Sequence, residues 1–211
     1  MISGSKTRAE TSVLHRLLAA LLALGAGRAR LLLLAMLCAA APAWAFDMPE
    51  LMGLLAKQKQ GEGTFTEQRF VRGVDGPLAA SGTLSFTAPD QLVRRTLSPR
   101  PETMAVDGNT LTLSRGGRTR TMPLDSVPEL LGLVEAMRAT LAGNASVLQR
   151  YFSVQVTGSA AEWALDLAPV DGRLSSQIAA LRLVGRAGEV LGIEMEFRGG
   201  DRSVMTIVPK R

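Results

Sequence analysis

The sequence predicts a mainly β protein of about eleven antiparallel strands with two short helical segments. Apolar and polar residues alternate in many short runs, for example Leu84 and Phe86 against Thr83 and Ser85, which is the two-residue period of a strand with one apolar face. The runs are joined by turn residues such as Asp107-Gly108-Asn109. Short strands that follow one another through tight turns favour an antiparallel meander.

Residues 1–45 have the three parts of a secretory signal peptide. A basic region precedes the apolar run 31–41, and the small residues Ala43 and Ala45 mark a cleavage position. The apolar run is short for a membrane span. We predict cleavage after Ala45, with Ala43 as the second choice, and a mature domain at 46–211. An uncleaved anchor helix is the alternative.

The leader also holds the only thiol and the only imidazole, Cys38 and His15. It contains five of the 24 Lys and Arg residues and one of the 19 Asp and Glu residues. Its removal therefore lowers the formal net charge from +5 to about +1. The mature chain has no charge excess typical of nucleic-acid binding, and it has no residue for a disulfide, a Cys or His nucleophile or a usual zinc site. We predict no catalytic residue, no metal and no cofactor.

A helix is predicted over residues 48–60, at the start of the mature chain. Asp47 is placed to cap it, Pro49 suits its first turn, and Gly61 ends it. Its apolar stripe contains Leu51, Leu54 and Leu55. Six strands are predicted next, at 64–71, 78–87, 91–97, 102–106, 110–114 and 118–122.

A second helix is predicted over residues 127–142, where the spacing of apolar residues changes from two to three or four. Ser126 is the predicted cap, and Gly143-Asn144 end the helix. A further helical turn is an option at 145–150. The apolar positions are Leu130, Leu133, Val134, Met137 and Leu141. Five more strands are predicted, at 151–157, 162–167, 178–184, 190–197 and 203–208.

The predicted sheet has more apolar surface on one face than two short helices can cover. A large one-sided sheet with little helix either curls on itself or keeps a concave apolar surface. We therefore expect a hydrophobic cargo site. Its candidate wall consists of Leu84, Phe86, Leu92, Met104, Leu111, Leu113, Trp163, Leu165, Ile193 and Met195. An ordinary packed core is the alternative for each of these residues.

Several short motifs occur in an order that resembles the LolA family of periplasmic lipoprotein carriers. They are Phe65-Thr66-Glu67-Gln68, Gly82-x-Leu84-x-Phe86-x-x-Pro89, Ser98-Pro99 and Val106-Asp107-Gly108-Asn109-Thr110-Leu111. The resemblance covers most of residues 46–208. It implies an unclosed half-barrel of about eleven antiparallel strands, covered by short lid helices at 48–60 and 127–142, with a cavity that takes acyl chains.

The same resemblance implies roles and partners. The apolar residues of the two helices become lid residues, and the cargo becomes a lipoprotein or another lipid. The expected location is the periplasm, and the expected form is a monomer that binds no nucleic acid. An inner-membrane transporter is the implied donor, and an outer-membrane protein the implied acceptor.

The chain departs from the family pattern beside the second strand. Well-studied carriers have an arginine before the turn proline that holds the lid shut, and Ala88 stands at this position. Leu92 stands where they have an aromatic residue. We therefore expect the closing contact to be absent or relocated, and a cargo other than lipoprotein stays open. Arg94 and Arg95 are candidate headgroup ligands on opposite faces; a charged strand edge is the alternative.

Two other classes of function are considered. An envelope binding or sensor module on the same half-barrel recognises a protein partner and has a filled core. An enzyme without histidine or cysteine needs a carboxylate pair or a Ser–Lys arrangement, and Lys57, Lys59 and Lys210 all lie near the ends of elements or of the chain. We therefore predict a carrier rather than an enzyme.

Overall fold

The computed structural model describes residues 46–210. The predicted signal peptide and its cleavage positions lie outside the described residues. Eleven strands form one antiparallel sheet in the order β6-β5-β4-β3-β2-β1-β11-β10-β9-β8-β7. The strands are β1 Gln60–Phe70, β2 Leu78–Thr87, β3 Gln91–Ser98, β4 Glu102–Asp107, β5 Thr110–Arg115, β6 Arg118–Pro123, β7 Phe152–Ser159, β8 Glu162–Pro169, β9 Ile178–Arg186, β10 Glu189–Phe197 and β11 Arg202–Pro209.

The sheet does not close into a barrel, because β6 and β7 stand at its two edges. The first and last strands pair at its centre, from Gly63 opposite Pro209 to Phe70 opposite Arg202. The predicted fold class, an open half-barrel of eleven antiparallel strands with covering helices, is confirmed.

Within residues 46–210 four α-helices lie outside the sheet, and the end of the first and the cap of the second differ from the prediction. They are α1 Met48–Leu55, α2 Pro128–Leu141, α3 Ala145–Tyr151 and α4 Gly172–Gln177, and a 3-10 turn spans Leu124–Ser126. The prediction of helix to residue 60 was wrong, because Gln60 already pairs with Thr87 in the sheet. The predicted cap at Ser126 was also wrong, because its hydroxyl donates to the carbonyl of Pro123 and Val127 precedes the helix.

The caps of α1 and α4 follow local chemistry. The Asp47 carboxylate accepts a hydrogen bond from the Glu50 amide at 3.0 Å, as the sequence predicted. Helix α4 was not predicted, although the Asp171 carboxylate caps it by accepting from the amides of Arg173 and Leu174. The signal for α4 was weak because the helix has six residues and few apolar positions.

The interior contains two packed clusters. The larger one joins all four helices to strands β7–β9, and α2 contributes Ala136 and Ala139 to it. Its fully buried members include Leu51, Leu55, Leu148, Trp163, Leu165 and Leu174. The smaller one lies under the N-terminal half of α2 and contains Val106, Leu111, Leu124 and Val134. The two clusters therefore fill the apolar face of the sheet at two places. The sheet surface between these places is packed by neither cluster.

Gly82 allows the tight packing at the centre of the sheet. A Cβ atom at this position would overlap the carbonyl oxygen of Arg95 and lie 2.9 Å from the ring of Phe65. The register of β2 on β3 shifts between Ser81 and Gly82. A side chain is thus excluded where the buried Phe65 lies against its neighbouring strand.

Candidate functional site

A cavity of about 870 Å³ lies between helix α2 and the concave face of the sheet. Its size falls within the range of pockets that bind small molecules, which is roughly 300–1,000 Å³. Six predicted wall residues line it: Leu84, Phe86, Leu92, Met104, Ile193 and Met195. Five predicted lid residues line it from α2: Leu130, Leu133, Val134, Met137 and Leu141.

The other predicted wall residues lie outside the cavity, in packed positions. Leu111 is 1% exposed and packs with Leu124 and Val134, and Leu113 lies against the same cluster. Trp163 and Leu165 are fully buried in the larger cluster. The Trp163 ring nitrogen donates to the carbonyl of Ala187 at 2.9 Å, which holds the ring in the interior.

Helix α1 does not line the cavity. Leu51 and Leu55 are fully buried in the larger cluster, and Leu54 is half-buried. Both buried side chains face the packed side of the sheet rather than the open space, so α1 occupies a fixed place in the core. Only α2 of the two predicted lid helices covers the cavity.

Several lining residues were missed at the sequence level. They come from the C-terminal half of the sheet and from β4: Val106, Ile178, Leu181, Leu183, Phe197, Met205 and Ile207. The alternation of Leu181 with Leu183 and of Met205 with Ile207 carried the signal. It identifies the inward face of a strand, but it does not say whether a helix fills the space above that face.

A polar cluster crosses three strands on the cavity wall. Arg94 of β3 makes an ion pair with Glu67 of β1, whose other oxygen accepts a hydrogen bond from the hydroxyl of Ser203 on β11. The Arg94 guanidinium lies 4.7 Å from the centre of the Phe65 ring. The Arg94 and Glu67 side chains are 30% and 13% exposed. The ion pair thus places a balanced charge within the apolar part of the wall, and the other charged lining residues are Glu62, Arg69, Glu189 and Lys210.

Arg94 and Arg95 lie on different faces, as alternation predicted. Arg94 lines the cavity, whereas Arg95 is exposed and does not. Because Glu67 already neutralises Arg94, an anionic headgroup at this position would have to compete with that carboxylate.

Arg138 of α2 connects the helix to two turns of the sheet. Its Nη2 donates to the carbonyls of Asp90 and Gly108, each at 2.7 Å, and its Nη1 donates to Glu135 at 2.8 Å. The side chain is 11% exposed. These turns join β2 to β3 and β4 to β5, so one guanidinium holds the helix over both hairpins.

The position of this contact explains the departure at Ala88. The amide of Ala88 donates to the carbonyl of Lys59, and its methyl side chain has no polar atom that could bond to α2. The arginine is instead Arg138 of α2, which donates to the carbonyl of Asp90, two residues after Ala88. The sequence predicted that the closing contact would be absent or relocated. A contact between the helix and the sheet is present, and it is made by a different residue.

The unclosed sheet, helix α2 and the space between them define an open half-barrel protein with an internal apolar cavity. Residues 39–208 match the family described as outer membrane lipoprotein carrier protein LolA-like, and the chain belongs to this family. The predicted family is thereby confirmed. No curated protein shows significant sequence similarity to the chain.

Solved structures with a similar arrangement have low sequence identity. A LolA superfamily protein, NE2245 from Nitrosomonas europaea, is 10% identical with a TM-score of 0.41, over 75% of this chain and 90% of that one. MucB in the Pseudomonas aeruginosa MucA/MucB complex is 16% identical with a TM-score of 0.42, over 78% and 58%. The Mycobacterium tuberculosis lipoprotein LppX is 9% identical with a TM-score of 0.38, over 76% and 94%.

Two further observations concern residues 46–210 alone. Within this range no helix has the length and apolar character needed to cross a bilayer. The same range contains no group of three or more His, Cys, Asp or Glu side chains arranged to hold a metal ion.

Proposed function

We propose that the chain, processed to residues 46–211, is a periplasmic carrier that binds the acyl chains of a lipoprotein or another lipid. The observation that carries this proposal is the apolar cavity of about 870 Å³ under α2. The cavity wall is built mainly from Leu, Ile, Val, Met and Phe side chains. A flexible hydrocarbon chain is the ligand that such a wall accommodates best.

The driving force is the transfer of methylene groups from water into the cavity. Each buried CH₂ contributes about 0.8 kcal/mol, so a chain of many carbons gains a large gross affinity. Part of it is offset when α2 moves, because Leu133, Val134 and Met137 exchange their contacts with the sheet for contacts with cargo. The net affinity is then moderate, and this allows release.

Transfer requires a donor and an acceptor. In this proposal an inner-membrane transporter delivers the cargo and an outer-membrane protein receives it, as the resemblance to the LolA family implies. The carrier acts as a monomer without a cofactor, and binding rather than catalysis is its activity. Because Arg94 is paired with Glu67, the acyl chains rather than the headgroup provide most of the recognition.

The test compares cavity-filling variants with a matched surface variant. Leu84→Trp and Ile193→Trp place an indole in the cavity from β2 and from β10, on either side of the central β1–β11 pair, while Val208→Trp adds the same group at a position that is 62% exposed. We expect lipid in organic extracts of the exported wild-type and Val208→Trp proteins, detected by mass spectrometry. Both cavity-filling variants should lose the bound lipid, and they should also lose the ability to bind a fluorescent fatty acid.

A lipid-free wild-type protein that also fails to bind the fatty acid contradicts the proposal. The recovery of a specific envelope protein with lipid-free wild type favours the binding or sensor module instead. Melting curves of the variants separate loss of binding from loss of folding. If one of the two filled variants fails to fold, the other still tests the proposal.

A further inference from the structure

Three hairpin turns of the N-terminal half of the sheet lie at one end. They are residues 71–77 between β1 and β2, 99–101 between β3 and β4, and 116–117 between β5 and β6. The antiparallel order places them together, while turns 88–90 and 108–109 lie at the opposite end, where Arg138 binds. We call the first group of turns, with the flanking residues 69–78, 95–102 and 115–120, the arginine end.

Large apolar side chains are exposed at this end. Phe70, Val74, Leu78 and Leu97 are 40%, 46%, 52% and 57% exposed. Of the exposed large apolar residues in the described range, only Val170 and Val208 lie elsewhere in the sequence. Exposed apolar residues concentrated at the tips of neighbouring hairpins indicate an interaction surface rather than scattered surface residues.

The charge at the same end is strongly positive. It contains seven arginines, Arg69, Arg72, Arg95, Arg100, Arg115, Arg118 and Arg120, and two acids, Asp75 and Glu102. Arg69 lies 3.5 Å from Asp201, and Arg115 lies 3.6 Å from Glu102. Within the described residues, no carboxylate lies within 4 Å of Arg95, Arg100, Arg118 or Arg120.

Two of these arginines face each other directly. Arg115 and Arg118 are register partners across the turn of the β5–β6 hairpin, and like charges in this relation repel. Arg120 stands opposite Leu113, two residues further along the same face. At the opposite end, the β2–β3 and β4–β5 turns carry Asp90 and Asp107 instead. The turns of the N-terminal strands are therefore basic at one end and acidic at the other, and an anionic partner would relieve the repulsion at the arginine end.

The cavity extends toward this end. Arg69, Phe197 and Glu67 belong to its lining, and Arg69 pairs in register with the exposed Leu78. The Arg69 guanidinium lies 5.3 Å from the centre of the Phe197 ring. The exposed apolar tips and the cavity wall are thus joined along β1.

We propose that the arginine end docks on an anionic lipid bilayer. The unpaired arginines contact lipid phosphates, and Phe70, Val74, Leu78 and Leu97 enter the interfacial layer. A bilayer is the partner that fits because it offers a dense negative surface directly above an apolar phase, which matches cations interleaved with apolar tips. The docked orientation turns the Arg69 side of the cavity toward the membrane. Apart from Arg69, the residues of this surface do not line the cavity.

The first experiment is sedimentation of the exported, processed protein with phosphatidylcholine vesicles, with and without about one-third phosphatidylglycerol. We expect binding to the anionic vesicles that falls when salt rises from about 0.1 M to 0.5 M. Arg118→Gln with Arg120→Gln should weaken binding about 25-fold, since each basic residue contributes about a factor of five. Binding of wild type to neither vesicle, or to both equally, overturns the proposal.

The matched control removes two charges at the opposite end. Lys59→Gln with Arg186→Gln lowers the net charge by the same amount, and neither residue lines the cavity. Its vesicle binding should stay within about twofold of wild type. An equal loss in both double variants overturns the proposal, because it assigns binding to net charge alone.

A fluorescence experiment tests the orientation. Trp163 is 1% exposed and reports on the core, so Leu97→Trp adds a distinguishable probe at the arginine end, and Val208→Trp adds one at the other end. Anionic vesicles should shift the emission of Leu97→Trp to the blue and leave that of Val208→Trp unchanged; the reverse result overturns the proposal. Ile193→Trp should still sediment with anionic vesicles, so that failure of docking and failure of lipid carriage give different results.

Discussion

Arg138→Ala is the substitution that most directly tests how the cavity is held closed. The arginine donates two charge-assisted hydrogen bonds to the turn carbonyls of Asp90 and Gly108, and a third bond to Glu135 on its own helix. Alanine keeps the helical propensity of α2 and removes all three bonds. The helix–sheet bonds are the ones whose loss frees α2 from the hairpins.

The magnitude follows from the number and burial of these bonds. A hydrogen bond to a charged group contributes about 1.5–3 kcal/mol, so the two bonds have a gross value of about 3–6 kcal/mol. We take the lower limit, about 3 kcal/mol, because the turn carbonyls regain water once the helix moves. Little further discount for solvent applies at 11% side-chain exposure. A change of about 3 kcal/mol raises the open population of α2 about 150-fold.

Amide hydrogen exchange measures this population directly. The amides of residues 131–141 should exchange about 100-fold faster in Arg138→Ala, while those of β8 and β9 stay close to wild type. Arg150→Ala is the matched control, because Arg150 is an exposed arginine in the last turn of α3. Exchange in α2 that is the same in both variants refutes the assignment of Arg138 as the closing contact.

Two further predictions concern the interior of the sheet. Gly82→Ala should lower the free energy of unfolding by about 2 kcal/mol in urea denaturation, because the new Cβ overlaps the carbonyl of Arg95. Gly53→Ala, in a helix with open space around it, should raise the free energy of unfolding by up to about 1 kcal/mol. Equal effects of the two substitutions would contradict the steric explanation. Glu67→Gln should destabilise by about 1–2 kcal/mol because it leaves the Arg94 cation without a counterion, and the double change with Arg94→Met should recover most of the loss. Additive losses would show that the pair is not coupled.

The sequence was sufficient for the strands but not for the ends of the helices. Alternation at Leu84 and Phe86 and turn residues at Asp107-Gly108 depend on local chemistry, and the eleven strands follow from such patterns. The end of α1 depends instead on pairing of Gln60 with Thr87, which lies 27 residues away in the chain. A polar run that also has helical propensity gives no local indication of that pairing.

The same distinction between local patterns and long-range contacts applies to the residues of the candidate site. Periodicity places Leu111 and Met104 on one face, and the structure agrees, since Val106 and Leu111 are opposite each other in the β4–β5 register. Whether such a residue lines a cavity or a core depends on what covers it. Leu111 lies under Leu124 and Val134, while Met104 borders open space. The Arg138 contact could not be predicted from the sequence either, because its acceptors are backbone carbonyls, which any residue provides.

The pairing of the first strand with the last has a consequence for the order in which the chain folds. Strands β1–β6 and β7–β11 are joined within the sheet only through the β1–β11 ladder, whose partners are separated by more than 130 residues. Loop closure of this length is slow, and it requires the C-terminal strand to have emerged. The sheet therefore stays in two parts until the last strand is available, and the cavity first exists when residues 202–209 join β1.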